Sequence, residues 1–194
     1  KVQAWFDKAT TVKRMSDSLY DFAQQLKENI VKEADGPDGN VFDIKHKDDL
    51  EAASHVMLAP GTGKGKLLYE RVNHYREQIL KMITDEHQRK TIESNLTTQL
   101  SKRARAMGKN WQEYMFEDMP VSAAVTMLSK LQSDVRYAEG EVLHALVANV
   151  DVKDIRVNKL SAFVIPESRT VVSGDRFSAQ IVMAAVDTLS LIHI

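Results

Sequence analysis

The sequence predicts a mainly α fold, an antiparallel bundle of about four long helices followed by the first strands of a β domain. Three observations predict it. Apolar residues recur at steps of three and four along most of the chain, the period of a helix with one buried face. From about residue 159 the period shortens to two, the period of a strand. Glycine, proline and aspartate clusters fall between the periodic runs, where turns belong.

The first stripe is Val12, Met15, Leu19, Phe22, Leu26 and Ile30, which predicts a helix from about Ala4 to Ala34. At 1.5 Å per residue it would be roughly 45 Å long. Gly36, Pro37 and Gly39 end it, because neither residue type propagates a helix. Residues 48–58 read as a short helix with Asp48 or Asp49 as its cap. Leu68, Val72, Tyr75, Ile79 and Met82 form a second long stripe, and Thr84-Asp85 supplies a stop and restart. Ile92, Leu96 and Leu100 continue on a third helix; Gly108 suits its C′ position, and Lys102, Arg103 and Arg105 suit its last turns, where cations complement the helix dipole. Periodicity leaves the pairing order of these helices open.

The fourth helix is the clearest. Val121, Ala124, Leu128, Leu131, Val135, Ala138, Val142 and Ala145 hold a heptad step. Glu117 and Asp118 favour its N-terminus, and Pro120 fits its first turn. Gly140 lies inside it but off the seam, which reads as a tolerated exposed glycine. Beyond it, "KLSAFVIP" at 159–166 and the alternation through Phe177, Ala179, Ile181, Met183 and Ala185 read as strands, with Ser173-Gly174-Asp175 as the turn between them. The predicted organisation is residues 1–149 as the bundle, 150–188 as the start of a truncated β domain, and 189–194 as a remnant outside the pattern. The start at Lys1, without a methionine, reads as a processed or excised piece.

Composition bounds the chemistry. Of 194 residues, 43% are hydrophobic and 27% charged, the balance of a domain with a real core. A net charge of −1 makes no electrostatic case for nucleic acid. With no cysteine there is no thiol catalysis or thiolate metal site. No apolar run approaches the roughly 18 residues of a membrane span.

Several stretches invite a chemical reading. "APGTGKGKLL" before the second long helix looks like a phosphate loop, yet a P-loop needs Gly, four residues, then Gly-Lys-Ser/Thr after a strand. The Gly65-Lys66 register puts Pro60 and Leu67 at the required glycine and hydroxyl positions; the Gly63-Lys64 register puts Leu58 and Gly65 there. The stretch therefore reads as a helix-to-helix connection with solvated lysines. Glu141 and His144 make a Glu-x-x-His, but di-metal bundles need two such motifs. Glu70 with His74, and Glu51 with His55, read as helix-face pairs. "SKRARAMGKNW" reads as a solvated helix terminus, and Trp111, Tyr114 and Phe116 as an aromatic anchor for the core. Trp5 with Phe6 would suit a membrane interface if a span preceded them. No nucleophile has a base beside it, so no catalytic, cofactor-binding or metal residue is assigned and no enzyme is expected.

Residues 119–143, "MPVSAAVTMLSKLQSDVRYAEGEVL", resemble the long-helix signature of the GldM/PorM family of the type IX secretion and gliding-motility machinery. Residues 63–80 and 164–188 are similar to the same family's periplasmic part. The resemblance implies a membrane helix just before Lys1, a helical first periplasmic domain, and then immunoglobulin-like β domains in a long dimer. It implies a GldL/PorL partner in a proton-driven inner-membrane motor, and GldK/PorK and GldN/PorN as the outer-membrane-associated ring. It carries no coupling or catalytic residue onto this chain. The function expected on this reading is a non-enzymatic, periplasmic, force-transmitting segment between motor and ring. The alternative is a periplasmic four-helix ligand-sensing domain, which would need a pocket with converging polar groups.

Overall fold

The computed structural model describes residues 2–154, 159–166 and 179–186. By internal contacts the chain divides into Lys1–Val147 and Ala148–Ile194. Its described part is mainly helical: α1 (Val2–Asp35), α2 (Ala52–Leu58), α3 (Gly65–Leu80), α4 (Glu86–Asn95), α5 (Lys102–Ala106), α6 (Trp111–Phe116) and α7 (Val121–Asp154). Two strands follow, β1 (Lys159–Pro166) and β2 (Ala179–Val186), paired antiparallel from Lys159↔Val186 to Pro166↔Ala179. The predicted turn at Ser173-Gly174-Asp175, the strand start at Phe177 and the remnant 189–194 lie outside the described residues.

Side-chain pairings fix the helix directions. Along α1, Asp17, Tyr20, Gln24 and Lys27 meet Arg136, Gln132, Gln132 and Ser129, so numbers rising in α1 meet numbers falling in α7. Arg71 stacks over Phe22 and Tyr75 bonds Ser16, so α3 also runs against α1. Gln88 bonds Glu141, while the segment after α4 reaches back to Asn73 and Arg76, so α4 runs against α3. Trp111 packs on Tyr69, and Ser54 Oγ donates to the Phe116 carbonyl, which carries α6 on towards α2. The bundle is thus antiparallel with four limbs: α1, α3, the run α4–α6, and α7.

The third limb departs from expectation. Residues 84–116 were expected to hold one long helix and a connection; they form three short helices. Leu96 is buried on the predicted stripe, but its carbonyl accepts from Arg76 Nη1 (2.9 Å) and the Thr98 hydroxyl bonds Asn73 Oδ1 (2.6 Å). Tertiary partners thus replace the helical hydrogen bonds there. Ser101 then caps α5 through the Ala104 N–H, and Gly108 takes a φ of 71° that ends it. The cations at 102–105 therefore belong to a separate five-residue helix. α6 opens on a capping box between Asn110 and Glu113. The 48–58 helix is also shorter than expected. It starts at Ala52, with Asp49 Oδ1 accepting from the Glu51 and Ala52 amides (2.8 and 2.9 Å).

The predicted stripe on α1 is buried, except that Met15 is half-buried, and the face widens to the pairs Phe22/Ala23, Leu26/Lys27 and Ile30/Val31. Two neighbours flank α1 there, so a single stripe is too narrow. The α7 seam is buried from Val121 to Val142, with Leu131 half-buried; Leu146 then replaces Ala145 as the buried residue. A straight helix drifts off a strict heptad in this way. Gly140 is exposed, and nothing lies within 4 Å of where its Cβ would stand.

The two ends of the bundle differ. α1 begins and the Val147 end of α7 finishes at one end, since those helices are antiparallel. At the other end, the amides of Val121 and Ser122 donate to the carbonyls of Asp49 and Lys47, so the 36–51 connection caps α7. At 34 residues, α1 separates the two ends by about 50 Å.

Candidate functional site

The polar groups that the bundle buries lie between its limbs. Tyr75 is the centre of one cluster. Its hydroxyl is 3.1 Å from the Val135 carbonyl of α7 and 2.8 Å from Ser16 Oγ of α1. The single phenolic proton goes to the carbonyl, so Ser16 donates to Tyr75. Burial pushes the Tyr75 hydroxyl up to about 12. Three limbs are pinned at one level by one side chain.

Around this pin, α1 and α7 are cross-linked at successive levels. Arg136 Nη1 lies 2.7 Å from both Asp17 Oδ1 and Glu139 Oε2, and its guanidinium stacks over Tyr20, 4.4 Å from the ring centre. Glu139 and Asp17 hold Arg136 above the usual arginine value; Lys13 and Arg136 hold Asp17 below the usual carboxylate value. Gln132 Nε2 donates to the Tyr20 carbonyl (3.1 Å) and to Gln24 Oε1 (3.3 Å). Lys27, 7% exposed, donates to Ser129 Oγ (3.1 Å), and burial lowers its pKa. Apolar periodicity does not mark Ser16, Lys27, Gln132 and Glu139. Their signal is a polar residue beside apolar neighbours three and four positions away, as Ser16 lies between Val12 and Leu19.

The stretches with a chemical look serve the fold or face solvent. In the glycine stretch, the Thr62 and Gly63 amides donate to the Ala59 carbonyl and the Lys64 amide to the Val56 carbonyl, closing α2. A Cβ on Gly63 would stand 2.7 Å from the Met57 carbonyl oxygen, and one on Gly65 would stand 2.8 Å from Gln112 Cβ. These glycines permit close approach of α2, α3 and α6, and the Thr62, Gly63 and Lys64 amides are turned to carbonyls at the end of α2 and not to an anion. Glu141 accepts from Gln88, while His144 is exposed. His55 pairs with Glu33 of α1 (3.2 Å) and Glu70 with Lys66 (3.9 Å). Among the described residues no three His, Asp or Glu side chains converge as metal ligands would. Phe116 is buried and Trp111 half-buried against it and Tyr69, whereas Tyr114 is exposed, so two of the three aromatics anchor the core. Trp5 packs against the core and Phe6 is exposed. A recess of about 530 Å³ between α1 and α3 is lined by Met15, Leu19 and Leu67, with Arg14, Arg71 and His74 also on its wall.

Among the described residues no helix is long and apolar enough to cross a membrane. The arrangement can hold helices in register. Residues 1–149 match the family model described as the GldM N-terminal domain, and residues 151–193 match that of the GldM second domain. No curated protein matches the chain. The family supplies structural components of the gliding and type IX secretion machinery. Together, the two matches cover nearly the whole sequence, and the chain belongs to the GldM family.

Proposed function

We propose that the helical unit is a stiff periplasmic arm that carries movement from an inner-membrane motor towards an outer-membrane-associated ring and performs no reaction. The observation that carries this reading is the Ser16–Tyr75–Val135 pin, which ties three limbs together in a close-packed core. Packed interiors transmit strain because they have almost no free volume to absorb it. Around the pin, the α1–α7 cross-links oppose sliding of one limb past another.

On this reading a membrane helix ahead of Lys1 turns or tilts α1, and the arm moves with it. A tilt of about 10° at one end of a 50 Å arm displaces the other end by roughly 9 Å. The partners are those of the family resemblance: GldL/PorL in the membrane, GldK/PorK and GldN/PorN at the ring, and a second copy of this chain in a dimer. On the same resemblance, the antiparallel pair β1 and β2 would open an immunoglobulin-like domain.

The test is a hinge in α1. Gln24→Gly with Gln25→Gly lies about two-thirds of the way along α1, and Gln24 also contacts Gln132. The full-length, membrane-attached variant should assemble and accumulate normally but lose secretion. Wild-type secretion by a variant whose α1 is shown to be loosened by hydrogen exchange would refute the arm.

A further inference from the structure

The connection between α1 and α2 sits at the end of the bundle remote from both the start of α1 and the Val147 end of α7. It is ordered by polar contacts that involve few of its exposed side chains. Asp35, its side chain 1% exposed, accepts from the Lys45 amide (2.8 Å) and from the His46 amide and Nδ1 (both 2.8 Å). Asn40 Oδ1 accepts from the Phe42 amide (2.9 Å), and Asn40 and Asp43 form an isolated bridge. Gly39 lies so close to α1 that a Cβ there would stand 2.8 Å from the Val31 carbonyl oxygen. Val41 and Ile44 turn inward and pack on the core.

Phe42, between them, is 94% exposed. A phenyl ring so fully hydrated packs on none of the described residues to any extent, yet the backbone that carries it is tied on both sides. That combination suits an anchor side chain, because the ordering entropy of its loop is lost on folding rather than on binding. Large apolar anchors that fill a pocket dominate many interfaces. Charge selects the class of partner. Residues 36–51 carry Asp38, Asp43, Asp48, Asp49 and Glu51 against Lys45 and Lys47. An acidic loop is repelled by an anionic bilayer surface and attracted by a basic protein surface.

We infer that the Phe42 loop is the docking tip of the arm, and that Phe42 enters an apolar pocket rimmed by lysine or arginine on a different protein. The inference rests on loop geometry, exposure and charge, and stands whether or not secretion is the output.

The experiment places p-benzoylphenylalanine at position 42 of the full-length protein in cells that make it, with the same photoprobe at exposed Tyr137 as a control. Light should yield one discrete adduct with another polypeptide at position 42 and none with it at 137. That polypeptide, purified, should bind Phe42→Ala at least about tenfold more weakly than wild type, the loss expected for one buried phenyl ring. Asp38→Lys with Asp43→Lys should weaken binding further at low salt. The thermal midpoint of Phe42→Ala should match wild type, which separates docking from folding. An adduct only with lipid or with a second copy, no adduct, or undiminished binding by Phe42→Ala would overturn the inference.

Discussion

Removing one oxygen from the centre of the bundle tests the structural argument most directly. Tyr75→Phe keeps the ring in place and deletes the hydroxyl shared by α1, α3 and α7. The loss has two parts. The Val135 carbonyl forfeits a side-chain donor, and Ser16, fully buried, loses its acceptor. A buried polar group stranded in this way costs about 1–3 kcal/mol, so about 2 kcal/mol is expected here. For a domain of this size that corresponds to a fall of roughly 4–8 °C in thermal midpoint. Ser16→Ala on the Tyr75→Phe background should recover part of the loss, because the stranded hydroxyl is then gone. The pH dependence supplies a second readout. Tyr75 titrates at about 12 in the fold and at an ordinary 10.0 when unfolded. Between those values the unfolded chain has released the proton while the fold still holds it, so stability is intact below pH 10 and falls as pH rises towards 12. That alkaline slope should be shallower in Tyr75→Phe. Equal stability of Tyr75→Phe and wild type in urea titration, or identical alkaline slopes, would refute the pin.

Three further outcomes are expected. Gly140→Ala should stabilise the chain by about 0.5–1 kcal/mol in urea titration, since the new methyl meets nothing and the helix interior gains a better former. Gly63→Ala should destabilise it by about 1–3 kcal/mol, because the methyl would crowd the Met57 and Ala59 carbonyls, whereas Lys64→Ala, on an exposed side chain, should be near neutral. Asp35 is held below its usual 3.8, first by the Lys45 amide and then by the His46 amide and ring. Its contribution is therefore present above that value and lost as pH falls through the depressed one. Asp35→Asn, which turns one acceptor into a donor facing N–H groups, should expose residues 36–50 to limited proteolysis at neutral pH.

The long limbs were legible in the sequence because each buries a face set by its own periodicity. Val12 to Ile30 and Val121 to Val142 needed no knowledge of neighbours. The third limb was not, because Leu96 and Leu100 continue a helical spacing across a real break. What breaks it is remote: Arg76 and Asn73, on another helix, bond the Leu96 carbonyl and the Thr98 hydroxyl. Part of the signal was nevertheless local. Asn110-Trp-Gln-Glu113 is a capping-box spacing, and Ser101 sits three residues before Ala104 as a cap should. The polar pins were hidden for a different reason. Ser16 and Gln132 break an apolar face, and a stripe read by its apolar members passes over the residues between them. The fully exposed Phe42 was also out of reach, because exposure depends on how Asp35 and Asn40 turn the loop.

The distribution of these pins bears on the proposed role of the bundle. An apolar seam resists separation of two helices more strongly than sliding, because one turn of displacement brings similar side chains back into contact. The α7 seam is of that kind, with alanine or valine at Val121, Ala124, Val135, Ala138 and Val142. Slippage along it would dissipate any movement fed into α1. The cross-links at Asp17–Arg136, Tyr20–Gln132 and Lys27–Ser129 each match one register and lose their partners in the next. A buried lysine and a buried glutamine are costly to strand, so a slipped register is penalised by more than the exposed pair alone would supply. Apolar area therefore makes the bundle stable, while a few polar contacts make it a single body, and under the proposed function only a single body would deliver at residue 42 a motion applied near residue 2.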